Sequence, residues 1–301
     1  MKKIITVLKS ALLFIINLRD VLDEIKINQG IILSNLYKNK DSTNIQDYEF
    51  KIFSQAGEDG ILQHIIDTIE IKNKTFIEFG VEDFNGSNCR FLMKQGNWSG
   101  FVIDNSKKNI NKLKNYNYFW KYNLKAVCEF INKDNVENVL LESGFDRDLG
   151  ILSIDIDGND YFILENINYF RPRILICEYN ALFGHERKIS IPYQSDFNMT
   201  KAHYSNLYWG ASLSAITYCA NKKGYALVGT NSNGVNAFYV RKDLLNEKLI
   251  SLNTRDAFTE CKMQISRDKN NDLSFLSTDE KFSLIKGMDV YDVEKGTLEK
   301  I

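Results

Sequence analysis

The sequence lacks several features that would place it in a well-marked class of protein. Its five cysteines are scattered, odd in number and form no Cys-x-x-Cys pair, which disfavours both a disulfide framework and a structural zinc site. No basic block stands out and the formal net charge is −1, so nucleic-acid binding is not expected as the main role. The absence of a Gly-x-Gly-x-x-Gly motif disfavours a nicotinamide-dependent dehydrogenase.

The sequence also lacks an uninterrupted apolar run long enough to cross a bilayer. The run from Leu12 to Ile16 is too short, and Lys9 and Arg19 flank it closely. No small-residue cleavage site for secretion is evident. Together with the free thiols, these absences predict a cytoplasmic protein.

The stretch 75–91, TFIEFGVEDFNGSNCRF, is the strongest positive signal. It predicts a buried strand that ends at a glycine and turns through polar residues into a helix, which is the unit that receives an adenosine-type cofactor. Gly80 is expected to let the backbone pass close to a ligand. Asn88 is expected to lie where the helix begins, so that free backbone N–H groups point to the same place.

The next predicted strand, 100–104, strengthens this interpretation because it ends at Asp104. An acidic side chain at that position can accept hydrogen bonds from both hydroxyls of a ribose. The alternative is that Asp104 caps the following helix, together with Asn105 and Ser106.

Two later predicted strands also end in polar side chains. Strands alternating with helices predict a parallel sheet with right-handed crossovers, in which ligands bind beyond the carboxyl ends of the strands. The predicted strands 224–229 and 236–241 are joined by a turn so short that one of them must run antiparallel. The polar residues that end the fourth and fifth strands are Asp155, Asp157, Glu178 and Asn180.

These four side chains predict a site for a hard divalent cation, Mg²⁺ or Mn²⁺, because such cations prefer oxygen ligands. A bound cation would lower the pKa of a substrate hydroxyl. The alternative is that Asp157 only supports the turn with Gly158.

The long polar and aromatic stretch 182–209 is expected to form a lid or substrate loop. His203 or His185 would remove a proton if the loop brings either one within hydrogen-bond reach. Candidates for stacking on a sugar or aromatic substrate are Tyr179, Tyr204, Tyr208 and Trp209, although packing accounts for most aromatic residues.

Residues 54–62 form a polar turn before the first core strand. Ser54 is expected to cap a helix that carries apolar residues on one face. Gln55, Glu58 and Asp59 either cap that helix and compensate its dipole, or close over the amino-acid end of the cofactor.

Residues 1–40 differ from the rest because their apolar residues follow a heptad spacing. We expect one long helix that pairs with a copy of itself, giving a homo-oligomer, or that lies on the catalytic domain. The competing interpretation is an amphipathic helix peripheral to the inner membrane, with Lys2, Lys3 and Lys9 meeting anionic lipid. The seam positions are Ile4, Leu8, Ala11, Ile15, Leu18, Leu22, Ile25, Ile32 and Leu36, with Gln29 as the interruption.

Taken in order, the motifs between residues 53 and 294 resemble those of FkbM-type methyltransferases, a bacterial family of the class I S-adenosylmethionine-dependent fold. Members of the family are associated with modification of surface polysaccharides. The segments that carry the resemblance are SQAGEDGIL, FIEFGVEDFNGSN, NWSGFVID, LSIDIDGNDY, CEYN, HYSNLYWGASL, KGYALVGTNSNGVNAFYV and VYDVE.

The resemblance implies an α/β, Rossmann-like, seven-stranded and mostly parallel sheet with one antiparallel strand. The long N-terminal helix predicted from the heptad spacing lies outside the resemblance. The resemblance also implies S-adenosyl-L-methionine as the cofactor. Glu82 departs from the family pattern because a further glycine is usual there. The predicted cofactor-binding residues are Gln55, Glu78, Gly80, Glu82, Asn88, Asp104 and Asp155, and the predicted catalytic residues are Asp155, Asp157 and His203.

The predicted function is O-methylation of a sugar or sugar-linked group of a surface glycan, with a carbohydrate or a nucleotide sugar as the acceptor. The alternative is a non-catalytic, cofactor-binding scaffold that dimerises and regulates a glycan-assembly complex. The predicted division of the chain is a helical segment at 1–45, a methyltransferase-like domain at 46–245 and a C-terminal helical extension at 246–301.

Overall fold

The computed structural model describes residues 2–301, with the side chains of residues 2–13, 16 and 17 outside the described part. Three predicted seam positions, Ile4, Leu8 and Ala11, and the three lysines predicted to meet lipid therefore lie outside the described residues. None of the helices in the described part has an apolar stretch long enough to span a bilayer.

A seven-stranded sheet in the order β3-β2-β1-β4-β5-β8-β7 forms the centre of the structure. All strands run parallel except β8, which lies antiparallel between β5 and β7. This arrangement confirms the predicted fold class. The strands of this sheet are β1 (Thr75–Phe79), β2 (Ser99–Asp104), β3 (Leu124–Cys128), β4 (Ile151–Ile154), β5 (Ile174–Glu178), β7 (Tyr225–Thr230) and β8 (Asn236–Arg241).

Helices cover both faces of the sheet because successive strand residues point to opposite sides. In β5, Ile174 and Ile176 belong to one apolar cluster, whereas Leu175 and Cys177 belong to the other. The helices are α1 (Lys2–Tyr37), α2 (Glu58–Thr68), α3 (Arg90–Gly96), α4 (Lys107–Lys114), α5 (Val136–Leu141), α6 (Asp160–Asn166), α7 (Met199–Ala202), α8 (Leu213–Lys222), α9 (Thr254–Ala257) and α10 (Thr278–Ile285).

The C-terminal residues form more than the helices predicted from the sequence. A hairpin of β9 (Asp289–Asp292) and β10 (Thr297–Lys300) pairs with β6 (Ile189–Ser190) to make a small second sheet. The partner strand lies in the 182–209 stretch, so this pairing was not readable from the local sequence of the tail. The domain boundaries at residues 45 and 245 stay a prediction.

Helix α1 lies on the domain through a mixture of polar, small and apolar side chains. Asp23 forms ion pairs with Arg90, at 2.7 Å, and with Lys94, at 2.6 Å. A Cβ on Gly30 would lie 2.5 Å from the ring of Phe91, so this glycine permits close contact with α3. Of the two arrangements expected for the helix, the structure thus shows it lying on the domain.

Candidate functional site

Strand register aligns five residues along the carboxyl edge of the central sheet. Phe79 pairs with Ile103, Glu78 with Ser153 and Ile154 with Cys177, so the residues that follow these positions are neighbours. Glu178 in turn pairs with Asn236 of the antiparallel strand. The resulting row, called the edge row below, is Asp104, Gly80, Asp155, Glu178 and Asn236.

Gly80 lies in the edge row with φ of +64°. A Cβ at this position would lie 1.8 Å from the backbone oxygen of Asp155. We predicted that Gly80 permits the approach of a ligand, but the closest approach in the structure is that of the neighbouring strand. A glycine is therefore required at position 80 by the close contact with the chain that follows β4.

Glu78 organises the loop that follows the first strand. It is buried, and its carboxylate accepts hydrogen bonds from Ser87 Oγ at 2.6 Å and from the backbone N–H of Asn88 at 2.7 Å. Burial raises the pKa of Glu78 to about 7, although these hydrogen bonds favour the charged form. Asn88 also donates from Nδ2 to Ser153 Oγ at 3.1 Å, which ties the loop to β4.

Asp104 binds two backbone N–H groups and still faces a cavity. Its Oδ2 accepts from the amide of Glu82 at 2.8 Å, and its Oδ1 accepts from the amide of Ser106 at 2.7 Å. Because each carboxylate oxygen can accept two hydrogen bonds, both oxygens keep capacity for a ligand hydroxyl. The two interpretations of Asp104, ribose acceptor and structural cap, are thus compatible.

Glu82 takes the left-handed conformation that glycine usually adopts, with φ of +48°. Its side chain is exposed and lines the cleft described below. Phe84, two residues later, has φ of +67° and a buried side chain. Two strained non-glycine residues in one loop are typical of a segment held in place for binding.

Asp155, Asp157 and Glu178 form an acidic cluster in which one carboxylate oxygen from each residue lies within 4.8 Å of the others. Oε2 of Glu178 is buried and has no hydrogen-bond partner among the described residues. Burial, with repulsion between the carboxylates, raises the pKa of Asp155 and Glu178 well above the usual range. A bound proton or a bound cation would relieve the repulsion within this cluster.

Two further polar residues beside the acidic cluster, Asp160 and Asn180, have structural partners. Asp160, which the sequence analysis did not single out, supports the turn by accepting from the amides of Ile156 at 2.9 Å and Gly158 at 3.0 Å. Asn180 donates to two backbone oxygens, and its own side-chain oxygen accepts from the amide of Leu182 at 3.0 Å. The predicted fourth metal ligand is therefore engaged in holding the chain after β5.

Two cavities meet along the edge row. They share a set of residues that includes Gly80, Glu82, Asp155 and Asp157, so we describe them as one cleft. One end holds Asp104 and the apolar side chains of Phe130 and Ile131. The other end is lined by residues that include Gln55, Glu58, Asn88, Glu178, Trp209, Asn236, Glu260, Met263 and Lys281.

The second end of the cleft carries Asn236, which sequence reasoning missed, and Trp209, which was a candidate for stacking on a substrate. Asn236 Oδ1 and Trp209 Nε1 are buried without a hydrogen-bond partner in the described part of the chain. Glu58 accepts from Asn231 Nδ2 at 2.8 Å and from Asn236 Nδ2 at 3.0 Å, which fixes the orientation of that amide. No local signal marks Asn236, because it reaches the cleft only through the insertion of β8 beside β5.

Gln55 reaches the cleft, but the predicted cap of the adjoining helix is different. Helix α2 begins at Glu58, and Gly57 occupies the N-cap without a side-chain hydrogen bond. Ser54 Oγ instead donates a hydrogen bond to Asp59 Oδ2 at 2.8 Å. The same oxygen also accepts hydrogen bonds from the backbone N–H groups of Ile52 and Phe53. Asp59 therefore holds the turn together, while Gln55 and Glu58 face the cleft.

The structure does not bring the predicted histidines to the cleft. His203 Nδ1 lies 2.7 Å from Ser205 Oγ, and His185 packs on Phe258 with ring centroids 4.9 Å apart. Neither histidine lines the cleft around Asp155. A histidine base therefore stays a prediction, which would require the 182–209 stretch to bring one of the two rings to the cleft.

The predicted aromatic contacts for a substrate are likewise used for packing. Tyr208 donates its hydroxyl to the backbone oxygen of Asp289, and Tyr204 packs on His203 at the surface. Tyr179 is buried and lines the cleft, and it donates its hydroxyl to the backbone oxygen of Thr259 at 2.8 Å. Among these tyrosines, only Tyr179 lines the part of the cleft that the described residues form.

Comparison of the sequence with protein families and with curated proteins finds no match. FkbM-type membership therefore stays a prediction.

Similar solved structures include an O-methyltransferase family protein from Burkholderia thailandensis, with 11% identity over 61% of this chain, 57% of that chain and a TM-score of 0.37. The Methanococcus jannaschii fibrillarin pre-rRNA processing protein has 9% identity over 68% of this chain, 86% of that chain and a TM-score of 0.40. An S-adenosylmethionine-dependent methyltransferase from Clostridium acetobutylicum has 7% identity over 68% of this chain, 94% of that chain and a TM-score of 0.38. These similarities concern the fold alone.

Proposed function

We propose that the protein is an S-adenosylmethionine-dependent methyltransferase that methylates a hydroxyl group of a sugar or sugar-linked acceptor. The observation that carries the proposal is the edge row, which places Asp104, Gly80 and the acidic cluster in one cleft at the carboxyl ends of parallel strands. Ligands of open α/β sheets bind at this edge.

The Asp104 end of the cleft fits an adenosine. Asp104 keeps acceptor capacity for ribose hydroxyls, and Phe130 and Ile131, just after β3, provide an apolar wall for a base. Phe130 is 42% exposed, so part of its surface is available to a ligand.

The electrostatic character of the other end fits a cationic cofactor. Among its lining residues in the described part of the chain, seven are acidic and one, Lys281, is basic. S-adenosylmethionine carries a sulfonium and an ammonium group, and both are attracted to such a site. The acidic residues are Glu58, Glu78, Glu82, Asp155, Asp157, Glu178 and Glu260.

The chemistry requires that an acceptor oxygen lose its proton as it attacks. When bound, S-adenosylmethionine supplies a methyl group activated by its sulfonium sulfur. The protein contributes proximity and a proton acceptor. In our proposal the acidic cluster receives the hydroxyl proton, the new bond forms between the acceptor oxygen and the methyl carbon, and the carbon–sulfur bond breaks.

A divalent cation fits the same cluster. Asp155, Asp157 and Glu178 would hold it, because their oxygens converge and Glu178 Oε2 lacks a partner. The cation would supply stabilisation of negative charge on the acceptor oxygen. Trp209 Nε1 and Asn236 Oδ1 offer one donor and one acceptor for a neutral, hydroxyl-rich acceptor at the same end.

The test is calorimetric titration of the full chain with S-adenosylhomocysteine, with and without Mg²⁺. We expect micromolar binding that Asp104→Ala weakens at least tenfold. Asp104→Asn, which keeps one acceptor oxygen for a backbone amide, separates loss of ribose binding from collapse of the loop. Asp134→Ala, at an exposed position, should bind normally. No binding by the wild-type protein under either condition would overturn the proposal and favour a scaffold without cofactor.

A further inference from the structure

The N-terminal helix presents an apolar surface that the domain does not cover. Eight large apolar side chains on α1 are between 44% and 67% exposed, although helices of this length normally bury such residues. We call them the α1 stripe. Its members are Phe14, Ile15, Leu18, Val21, Leu22, Ile25, Ile32 and Leu36.

The opposite face of α1 is the one that contacts the domain, so the α1 stripe is held outward. Asp23 lies against Arg90 and Lys94, whose side chains are 3% and 6% exposed. Ile27 and Leu33 pack against the core cluster that includes Phe91. Turning the stripe inward would leave two buried cations without their carboxylate, which is strongly unfavourable.

The spacing of the α1 stripe fits a second helix of the same kind. Exposed apolar residues recur alternately three and four positions apart from Ile15 to Leu36, with Gln29 as the single polar member of the seam. This is the pattern of a and d positions in a coiled coil. The 22 residues span roughly 33 Å, about three heptads.

Along the part of α1 whose side chains are described, which excludes Lys2, Lys3 and Lys9, charge favours a second copy over a lipid surface. Two basic side chains, Arg19 and Lys26, belong to the described part of the helix, and both face the domain. Arg19 donates to Asn85 Oδ1 at 2.8 Å and lies over the ring of Tyr116, while Lys26 lies over the ring of Phe53. Glu24 is exposed nearby and would be repelled by anionic lipid.

Gln29 also favours a second copy of the helix over a lipid surface. An amide side chain in the middle of an apolar face weakens insertion into hydrocarbon, because its polar atoms lose their hydrogen bonds there. Between two paired helices, one polar residue at an a position is tolerated and fixes the register.

We infer that the protein forms a homodimer in which the α1 stripes of two copies pack against each other as a two-helix coiled coil. A dimer with twofold symmetry buries both stripes in one interface, because the same surface of each copy packs against the other. The inference is independent of the methyl-transfer activity proposed above.

The experiment measures the mass of the full chain by sedimentation velocity and light scattering between about 1 and 100 μM. We expect a dimer, and we expect the double variant Leu22→Glu, Ile25→Glu to be a monomer, since it places two charges in the seam. Ile31→Glu is the matched control, because Ile31 lies on α1 outside the seam. It should remain a dimer.

Circular dichroism melting of each variant shows whether the domain stays folded, and a second variant keeps the test informative. Gln29→Leu should tighten the dimer several-fold, since the seam then lacks its polar member. A wild-type monomer at every concentration would overturn the inference. So would a dimer that the double variant leaves intact, or a monomer that co-sediments with phosphatidylglycerol vesicles only when the stripe is apolar.

Discussion

Gly80 and Asp155 approach so closely that a Cβ on the glycine would lie 1.8 Å from the aspartate's backbone oxygen. The contact joins the ends of β1 and β4, the two strands at the centre of the sheet. It fixes the position of Asp155 relative to the loop that runs from Gly80 to Asn88. The proposed cofactor cleft and the acidic cluster are therefore built on one backbone contact.

Gly80→Ala should disturb this contact and Gly144→Ala should not. Both glycines have φ near +65° to +70°, so both variants suffer the same backbone strain. Gly144 has nothing within 4 Å of its added Cβ, whereas Gly80 meets the neighbouring strand. We expect Gly80→Ala to cost about 1–3 kcal/mol more in urea unfolding than Gly144→Ala.

Equal unfolding free energies for these two variants would show that the strands separate without cost. The contact would then have no role in positioning Asp155. S-adenosylhomocysteine titration of the folded Gly80→Ala variant provides the second readout, and binding should weaken there but not in Gly144→Ala.

Glu78→Gln should change how stability depends on pH. Burial raises the pKa of Glu78 to about 7, above its ordinary value of 4.5. The folded protein therefore holds this proton more tightly than the unfolded chain does. The contribution of this proton to the free energy of unfolding is fully present below pH 4.5 and is lost as the pH rises through about 7.

The loss amounts to about 3 kcal/mol for a shift of this size. Glu78→Gln keeps the shape of the side chain, an acceptor for the amide of Asn88 and a partner for Ser87 Oγ. We expect the variant to lose less stability than wild type between pH 5 and 8 in denaturant titrations. Glu247→Gln, at an exposed position, should follow the wild-type curve, and an unchanged curve for Glu78→Gln would contradict the assignment.

The strands and their acidic ends were predictable because apolar runs that stop at Glu78, Asp104, Asp155 and Glu178 carry a local signal. Parallel pairing then brings those ends to one edge without further information. The fold class followed from the same alternation, and the hairpin at 225–241 supplied the antiparallel strand.

The residues that sequence reasoning missed depend on contacts between distant segments. Asn236 enters the cleft because β8 pairs with β5. Trp209 was a candidate from the sequence, but its position in the cleft depends on Asn180, which donates to its backbone oxygen. The histidine base was predicted on the expectation that the 182–209 stretch folds over the site. The heptad pattern of α1 was visible, but the pairing of Asp23 with Arg90 and Lys94 was not.

Asp23→Asn should release α1 from the domain. The substitution removes the carboxylate that pairs with two buried cations, at 2.7 Å and 2.6 Å. Breaking a buried pair in this way costs about 3–5 kcal/mol. We expect faster hydrogen exchange in residues 19–37 and faster tryptic cleavage at Arg19 and Lys26.

Glu24→Gln is the matched control for Asp23→Asn, since the two residues are adjacent and Glu24 is exposed. It should exchange as the wild type does. If Asp23→Asn also leaves exchange unchanged, the contacts around Gly30 and Leu33 hold the helix without the ion pairs.

The acidic cluster should bind Mn²⁺ or Mg²⁺ in the absence of any other ligand. At a cation concentration one hundred times Kd, binding raises the unfolding free energy by about 2.7 kcal/mol. Asp155→Asn and Glu178→Gln should each abolish this gain, because they remove an oxygen anion from a set whose atoms lie within 4.8 Å. Glu82→Gln, at an exposed acid that lines the same cleft, should retain it.

The same two substitutions should have the opposite effect on the metal-free protein at pH 8. Asp155 and Glu178 are neighbours in the edge row, and each carboxylate repels the other. Replacing either by its amide removes that repulsion, so thermal melting in EDTA should occur at a higher temperature than in wild type. A residue is identified as a cation ligand if its substitution raises the metal-free stability and abolishes the response to Mn²⁺. If the stability falls in EDTA while the Mn²⁺ response persists, the two carboxylates belong to a structural network and Mn²⁺ binds elsewhere on the protein.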